Sequence, residues 1–355
     1  MQGDCRNTIA LLISGGVDSS VALALLKEQG YHVKAYYLKI WLEEELSFLG
    51  DCPWEDDLQY ITRVCEQFST PLEIVPFQRE YHERVVSYTI DELKKGRTPS
   101  PDLFCNQRIK FGAFYDKIGH KYSKIATGHY ATLEEKNDYT LLKTAPDPVK
   151  DQTYFLAHLS QEQIKHTLFP IGKLTKAEVR EAAQKYDLPN KNRKDSQGIC
   201  FLGKIKFSDF TAYHLGNEQG NIVEWETKIE LGKHRGYWFH TIGQRKGLGL
   251  SGGPWYVVKK DVQQNIVYIS KDKNAHSESK SVFHVANFNW IAEPPSTEKL
   301  KVKIRHGKLF YDCSLQVTNE NTGVVHLEGK DQGIAAGQFA VFYQDNTCLG
   351  CASIQ

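Results

Sequence analysis

The sequence predicts an α/β protein in three parts: a doubly wound parallel-sheet domain over residues 1–206, a small β-rich central domain over 207–280 and a β-barrel over 281–355. Three observations carry that expectation. The first part of the chain alternates short apolar runs with amphipathic stretches, the rhythm of βαβ units. Beyond Lys206, glycine, aromatic and β-branched residues rise while helical periodicity becomes scarce. The length of 355 residues also exceeds one ordinary domain of roughly 150 residues.

Thr8–Ile13 reads as a strand, Ser19–Gln29 as a helix, His32–Ile40 as a strand, Asp56–Phe68 as a helix and Leu72–Pro76 as a strand. Tyr81–Lys95 and Gln107–Lys121 read as helices, and Lys124–Thr127 as a short strand leading into Gly128-His129-Tyr130. Gln161–Lys165 and Lys176–Tyr186 follow as helices. Thr175 is the expected N-cap of the second, because its hydroxyl can accept from free first-turn amides. Asn265–Ile269, Val282–Val285, Lys301–Ile304, Cys313–Val317, Gly323–Leu327 and Phe339–Tyr343 alternate as strands between short turns.

Charged residues make up 25% and hydrophobic residues 41%, so the chain can bury cores and is not of disordered composition. The apolar run Ile9–Ile13 is far shorter than the ~18 residues of a membrane span. It reads as neither signal peptide nor anchor, and no membrane partner is expected. With 44 Lys and Arg against 43 acids, any polyanion footprint must be local. The 8 cysteines are too sparse for a disulfide scaffold and suit a reducing cytoplasm. Cys348 and Cys351 form a CxxC with no second pair at ligand spacing, so they read as buried thiols and no metal site is expected.

The first strand, ending in Leu12-Ile13, runs directly into Ser14-Gly15-Gly16-Val17-Asp18-Ser19-Ser20, which opens a helix. Two glycines let backbone amides converge, serines add hydroxyl donors and the helix start adds partial positive charge, so the turn can hold a phosphate. It also sits at the carboxyl end of a strand, where open α/β sheets bind ligands. The lysine spacing of a Walker loop is missing. Asp18 could position a magnesium ion or simply complement the helix start.

Ser100-Pro101-Asp102-Leu103-Phe104-Cys105 places a cysteine just before a helix, where Arg108 and Lys110 would favour its thiolate. Asp102 is near enough to orient a substrate or handle a proton, or it caps the helix. Cys200 lies in Asp195–Gly203 among Lys191, Arg193, Lys194, Lys204 and Lys206. Taken alone, it reads equally well as a small buried hydrophobe.

Ser14–Ser20 resembles the pyrophosphate loop of the ATP pyrophosphatases. Joined to the Cys105 and Cys200 segments, to Lys150–Leu156, to Gly232–Leu250 and to Gly337–Tyr343, the whole chain resembles the bacterial tRNA-specific 2-thiouridylases. That resemblance implies ATP, with Mg²⁺, held by Leu12, Ile13, Ser14, Gly15, Gly16, Val17, Asp18, Ser19, Leu38 and Gly128. It implies adenylation of the wobble uridine O2 and sulfur carried as a persulfide on Cys200. Cys105 would then close a disulfide with Cys200, with Asp102 as acid/base or base-positioning group. The implied partners are tRNAs for Lys, Glu and Gln, a persulfide donor such as a cysteine desulfurase or relay protein, and an external reductant. The implied tRNA contacts are Ser100, Pro101, Asp102, His129, Lys150, Asp151, Gln152, Arg305, His306 and Gln338. Lys233, Arg235, Arg245, Lys246, Lys301, Lys303, Arg305 and Lys308 are expected to meet phosphates. The resemblance is looser at Ser100, where the family commonly has Asn, and at His306, where it usually has Tyr. Two other readings compete: an ATP-dependent synthetase built on the same loop, and a non-catalytic RNA-binding protein.

Overall fold

The computed structural model describes residues 8–40, 54–194, 205–272, 275, 281–331 and 333–355. Its first sheet contains β1 (Thr8–Leu12), β2 (His32–Lys39), β3 (Leu72–Pro76), β4 (Lys124–Ala126) and a further short strand, Thr167–Leu168. The order is β3, β2, β1, β4, then Thr167–Leu168, with every pairing parallel. Both faces are covered. Ile9, Leu11 and Ile13 join one apolar cluster, with Val21 and Leu23 of α1 (Val17–Glu28) and Ile61 and Val64 of α2 (Trp54–Gln67). The alternate residues Ala10 and Leu12 join a second cluster with Phe77, Tyr81, Phe111 and Phe114. A strand whose two faces are both buried is the signature of a doubly wound sheet, and each fully buried Leu or Val contributes roughly 1.5–3 kcal/mol. The chain leaves α1 for β2 on one side of β1 and later returns through β4 on the other. The crevice between the carboxyl ends of β1 and β4 is therefore the topological switch point.

Two short strands that sequence reading missed, β5 (Thr132–Lys136) and β6 (Tyr139–Lys143), form a hairpin. β7 is Thr167–Leu168 of the first sheet. The central domain is a mixed four-stranded sheet, with β10 (Tyr256–Asp261), β11 (Ile266–Ser270), β8 (Gly220–Glu224) and β9 (Glu230–His234) in that order. It is seated on the first domain by the Tyr237 hydroxyl, which donates to Lys94 O at 2.6 Å, and by Leu93, packed against Tyr237 and Trp238. The helix Phe207–Leu215 was not expected. It is short and aromatic-rich, so propensity is weak, and Phe210 buried in the core holds it in place.

In the C-terminal region, β12 (Val282–Trp290), β13 (Lys299–Lys303), β14 (Tyr311–Asn319), β15 (Thr322–Leu327), β16 (Phe339–Gln344) and β17 (Thr347–Ile354) pair antiparallel. The order β12, β15, β14, β13, β16, β17 closes through β12–β17 into a six-stranded barrel. β6 pairs with β17, so the catalytic-side hairpin extends the barrel sheet. Cys348 and Cys351 are buried thiols of β17, as their spacing suggested. No described helix is long and apolar enough to cross a membrane.

Candidate active site

The loop after β1 has one closed side and one open side. Ile13 N donates to Tyr36 O at 3.0 Å, which carries the sheet one residue past β1, and Leu12 and Ile13 are buried beneath the loop. Gly15 adopts φ +65°, and a Cβ there would lie 2.8 Å from the Arg193 guanidinium and 3.0 Å from Asp57. Among the described residues, a Cβ on Gly16 would meet nothing closer than Ser14 Oγ at 3.7 Å. Gly16 caps α1 without a side-chain hydrogen bond. The first-turn amides of a helix have no intrahelical acceptor, so the open side offers donors and partial positive charge to an anion. Ser19 Oγ accepts from Ser14 N at 3.2 Å and donates to Gly16 O at 3.1 Å, which holds the turn in shape from within. Val17 is buried at the first position of the helix.

Opposite this loop, the turn after β4 makes close backbone contact. A Cβ on Gly128 would lie 2.7 Å from Ser19 N and 2.9 Å from Asp18 C, so only glycine lets the two loops approach. Asp18 Oδ1 accepts from the Tyr130 hydroxyl at 2.8 Å and from Lys176 Nζ at 2.7 Å. Asp18 is thus drawn into a charge pair at the helix start. Leu38, half-buried, lies near the carboxyl end of β2 and pairs in register with Val75. Among the described residues no three His, Cys, Asp or Glu side chains form a metal-binding group.

Four residues reach this site that the sequence did not assign to it: Tyr130, named only as following Gly128-His129, Arg193, named only beside Cys200, and Lys176 and Asn190. Thr175 caps the helix Lys176–Lys185 through a capping box with Glu178, so the expected cap also sets Lys176 at the helix start. Asn190 Nδ2 donates to Gly15 O at 2.8 Å and Ser20 Oγ at 2.9 Å, and Arg193 donates to Gly15 O at 3.1 Å. Arg193 is also paired with Asp57 at 2.6 Å. Burial pushes the Asp57 carboxyl up, against the pull of Arg193.

The cysteine segment departs from expectation in its electrostatics. The helix begins at Pro101, a four-residue turn Pro101–Phe104, and continues as a wide π-type turn over Cys105–Ala113. Cys105 therefore lies beyond the helix start. It is 1% exposed, and burial pushes its thiol up, with Lys110 pulling it down and Asp102 raising it further. Arg108 does not face the sulfur. Its guanidinium lies 3.7 Å from the Phe104 ring centre and donates to Arg84 O at 2.7 Å. The surroundings of Cys105 thus disfavour the thiolate that its neighbours in sequence led one to expect. Ser100 and Asp102 are half-buried and Pro101 is buried, with Ser100 N donating to the Tyr88 hydroxyl at 3.2 Å. Cys200 lies outside the described residues.

The barrel reaches this segment directly. Thr98 N donates to Ala336 O at 2.8 Å, Phe104 packs on Phe339 with ring centres 5.6 Å apart, and Gly337 at φ +90° leaves room for Arg97. Half-buried Gln338, between Gly337 and Phe339, is therefore on the loop that touches the approach to Cys105.

Several residues expected at RNA have internal partners instead. Asp151 is 2% exposed, accepts from Ala145 N and Thr153 Oγ1, and pairs with Lys303, itself 1% exposed. Their side chains stitch the barrel to the first domain and do not present charge to solvent. His129 is buried between Phe111 and Phe169, with Nδ1 2.7 Å from Thr127 Oγ1, and burial holds it well below the ordinary histidine range. Gln152 Oε1 accepts from Tyr130 N at 3.0 Å. Arg305 is bidentate to Asp331 yet still about half exposed. His306 stacks on Phe155 at 4.6 Å while remaining exposed, so an aromatic surface exists at this position without tyrosine. Lys150, half-buried, and the exposed Lys301, Lys308, Arg245 and Lys246 keep accessible surface. Lys233 is paired with Glu230 at 2.7 Å, and Arg235 lies over Phe239.

Protein-family models match the chain from end to end. One described as the tRNA methyl transferase HUP domain covers residues 7–204, one described as the tRNA methyl transferase PRC-barrel domain covers 208–271, and one described as the aminomethyltransferase beta-barrel domain covers 280–354. A curated protein of Parabacteroides distasonis, tRNA-specific 2-thiouridylase MnmA, is 48% identical over 353 residues, 98% of each chain. tRNA-specific 2-thiouridylase MnmA 2 of Bacteroides fragilis is 46% identical over 98% of this chain and 99% of its own. The corresponding protein of Porphyromonas gingivalis is 45% identical over 98% of each. A sheet open at its switch point, a glycine loop with one free side and likeness across all three domains lead to one conclusion: the chain belongs to the tRNA-specific 2-thiouridylase family, MnmA.

Proposed function

We propose that the protein replaces O2 of the tRNA wobble uridine by sulfur at the expense of ATP. The observation that carries this reading is near-full-length identity of 45–48% to curated 2-thiouridylases. The loop has the open amide side that a pyrophosphate leaving group requires. A uracil carbonyl oxygen leaves poorly and AMP leaves well, so transfer of AMP to O2, with release of pyrophosphate, makes C2 open to attack. Ser14–Ser19 and Gly128 would hold the phosphates and Leu38 would flank the adenine, with Mg²⁺ accompanying the phosphates.

In this reading a terminal persulfide sulfur on Cys200 attacks C2 and AMP departs with the oxygen. Cys105, as thiolate, then attacks the carrier sulfur of Cys200, and the sulfur–sulfur electron pair stays with the atom on C2. The base gains C=S and the two cysteines are left as a disulfide, which a dithiol reductant must reduce with two electrons. The persulfide itself comes from an external donor, a cysteine desulfurase or relay protein. A uridine inside an anticodon loop must be splayed out to reach such a site. Asp102 would position the base. Ser100, Pro101, Lys150, Arg305, His306 and Gln338 would line the RNA approach, with Arg245, Lys246, Lys301 and Lys308 as phosphate contacts. The substrates would be the Lys, Glu and Gln tRNAs, in the cytoplasm.

Mass spectrometry of these tRNAs after incubation with protein, ATP and a persulfide source tests the reading. Exchange of oxygen for sulfur at the wobble uridine is expected. Pyrophosphate release without sulfur gain would favour a different synthetase, and no ATP turnover at all would favour a passive RNA binder.

A further inference from the structure

We propose that Asn190 and Arg193 are positioning residues that fix the Gly15–Gly16 peptide plane, so that the Gly16 N–H faces the phosphate side of the loop. The inference rests on the nucleotide reading above and adds a mechanism for how the loop is kept competent. In a trans peptide the C=O and the following N–H point in opposite directions. Gly15 O receives Asn190 Nδ2 at 2.8 Å and an Arg193 guanidinium nitrogen at 3.1 Å, so both of its lone-pair directions are taken on one side. The Gly16 N–H must therefore point away from these two residues. That direction agrees with the space around the two α-carbons, which is blocked at Gly15 by Arg193 and Asp57 and, among the described residues, open at Gly16.

The glycines make such a lock necessary. Two successive residues without Cβ leave the intervening peptide almost unbiased, so a flip that turned the carbonyl toward the phosphates would be sterically cheap. A carbonyl oxygen there would repel the anion. The clamp is itself rigid. Asp187 at φ +51° ends the preceding helix, Leu188 N returns to Ala183 O, and Leu188 is buried in the core. Arg180 donates to Lys191 O at 3.1 Å and Arg193 O at 2.7 Å, so the backbone between the two donors is held from behind. Asn190 is 1% exposed, and its second contact, to Ser20 Oγ, ties it to α1 as well.

The test measures ATP and tRNA affinities by calorimetry, KM and kcat for ATP, and thermal stability, in wild type, Asn190→Ala, Asn190→Asp, Arg193→Lys and Arg193→Ala. Loss of one lock donor should weaken ATP by about tenfold, read as a raised KM with kcat nearly kept at saturating ATP. Asn190→Asp should be worse than Asn190→Ala, because a carboxylate faces the carbonyl and repels phosphate. Arg193→Lys should rescue most of the loss seen in Arg193→Ala, and tRNA affinity should not move in any of them. Equal ATP affinity in Asn190→Ala, Arg193→Ala and wild type would overturn the inference. So would a loss of ATP affinity matched by equal losses of tRNA affinity and melting temperature, the pattern of a purely structural role. Failure of the wild type to bind ATP is a distinguishable result that removes the nucleotide reading and this inference together.

Discussion

The ammonium of Lys303 and the carboxylate of Asp151 meet at 2.8 Å where the side chains are 0% and 2% exposed, joining the barrel to the catalytic domain. Thr153 Oγ1 adds a bond to the same carboxylate, and Lys303 also lies 4.3 Å from the Phe310 ring centre. Removing one partner leaves the other charge buried and unpaired. Lys303→Met should therefore cost about 3–5 kcal/mol, while Lys303→Met with Asp151→Asn should recover a large part of it. Urea unfolding of the two single variants and the double variant checks this. Additive losses would show that the contact is not energetically coupled.

Gly128→Ala tests the approach of the two loops. The added methyl would sit 2.7 Å from Ser19 N, against backbone that cannot rotate away, so the first turn of α1 must shift. Overpacking of this kind costs about 1–3 kcal/mol. A modest fall in stability together with a large loss of ATP affinity is expected. A variant that melts lower but binds ATP normally would place Gly128 outside the nucleotide site.

The β1–loop–α1 unit was legible because all its parts are contiguous: an apolar strand, two glycines, three serines and a helix start. The Thr175 cap was legible for the same reason. Lys176, Asn190 and Arg193 were not, because they reach the loop from 158, 175 and 178 positions away. The β5–β6 hairpin was also missed, because β5 ends in the exposed run Glu134-Glu135-Lys136, which lacks the apolar alternation that marks a strand. The thiolate expected at Cys105 rested on Arg108 and Lys110 being near in sequence. Folding stacks Arg108 on Phe104 and buries the sulfur, and desolvation outweighs the remaining cation. Asp151 and His129 were expected at RNA from the resemblance, and Lys303 from its place in a basic block; none of these signals carries burial, which folding decides by packing all three inside.

Raised by burial, the Cys105 thiol should make sulfur transfer limited by thiolate at neutral pH, with the rate rising as pH increases. Lys110 favours the thiolate, so Lys110→Met should move the rising limb of the pH–rate profile to higher pH. Single-turnover transfer from a preloaded persulfide, followed across pH in both proteins, is the measurement. A limb that stays put or moves to lower pH would refute the assignment of Cys105 as the titrating nucleophile. Cys105→Ser should abolish transfer while leaving tRNA affinity intact.

The buried histidines set the acid side of stability. His129, His234 and His240 are 7–8% exposed, and burial lowers all three, His240 to about 4, with further repulsion on His240 from His234, Lys260 and Arg235. In the unfolded chain each returns to about 6.5. Below that value the unfolded state binds protons that the folded state refuses, so stability falls as pH drops from about 6.5 toward the folded values. Each histidine contributes at most about 1.4 kcal/mol per pH unit in that window, and above it the contribution is constant. Unfolding free energies measured between pH 7 and 5 should therefore decline as pH falls. His240→Gln should reduce that slope by close to one proton between pH 6 and 5, whatever it does to stability at pH 7. An unchanged slope in the variant would mean that His240 accepts its proton in the folded state after all.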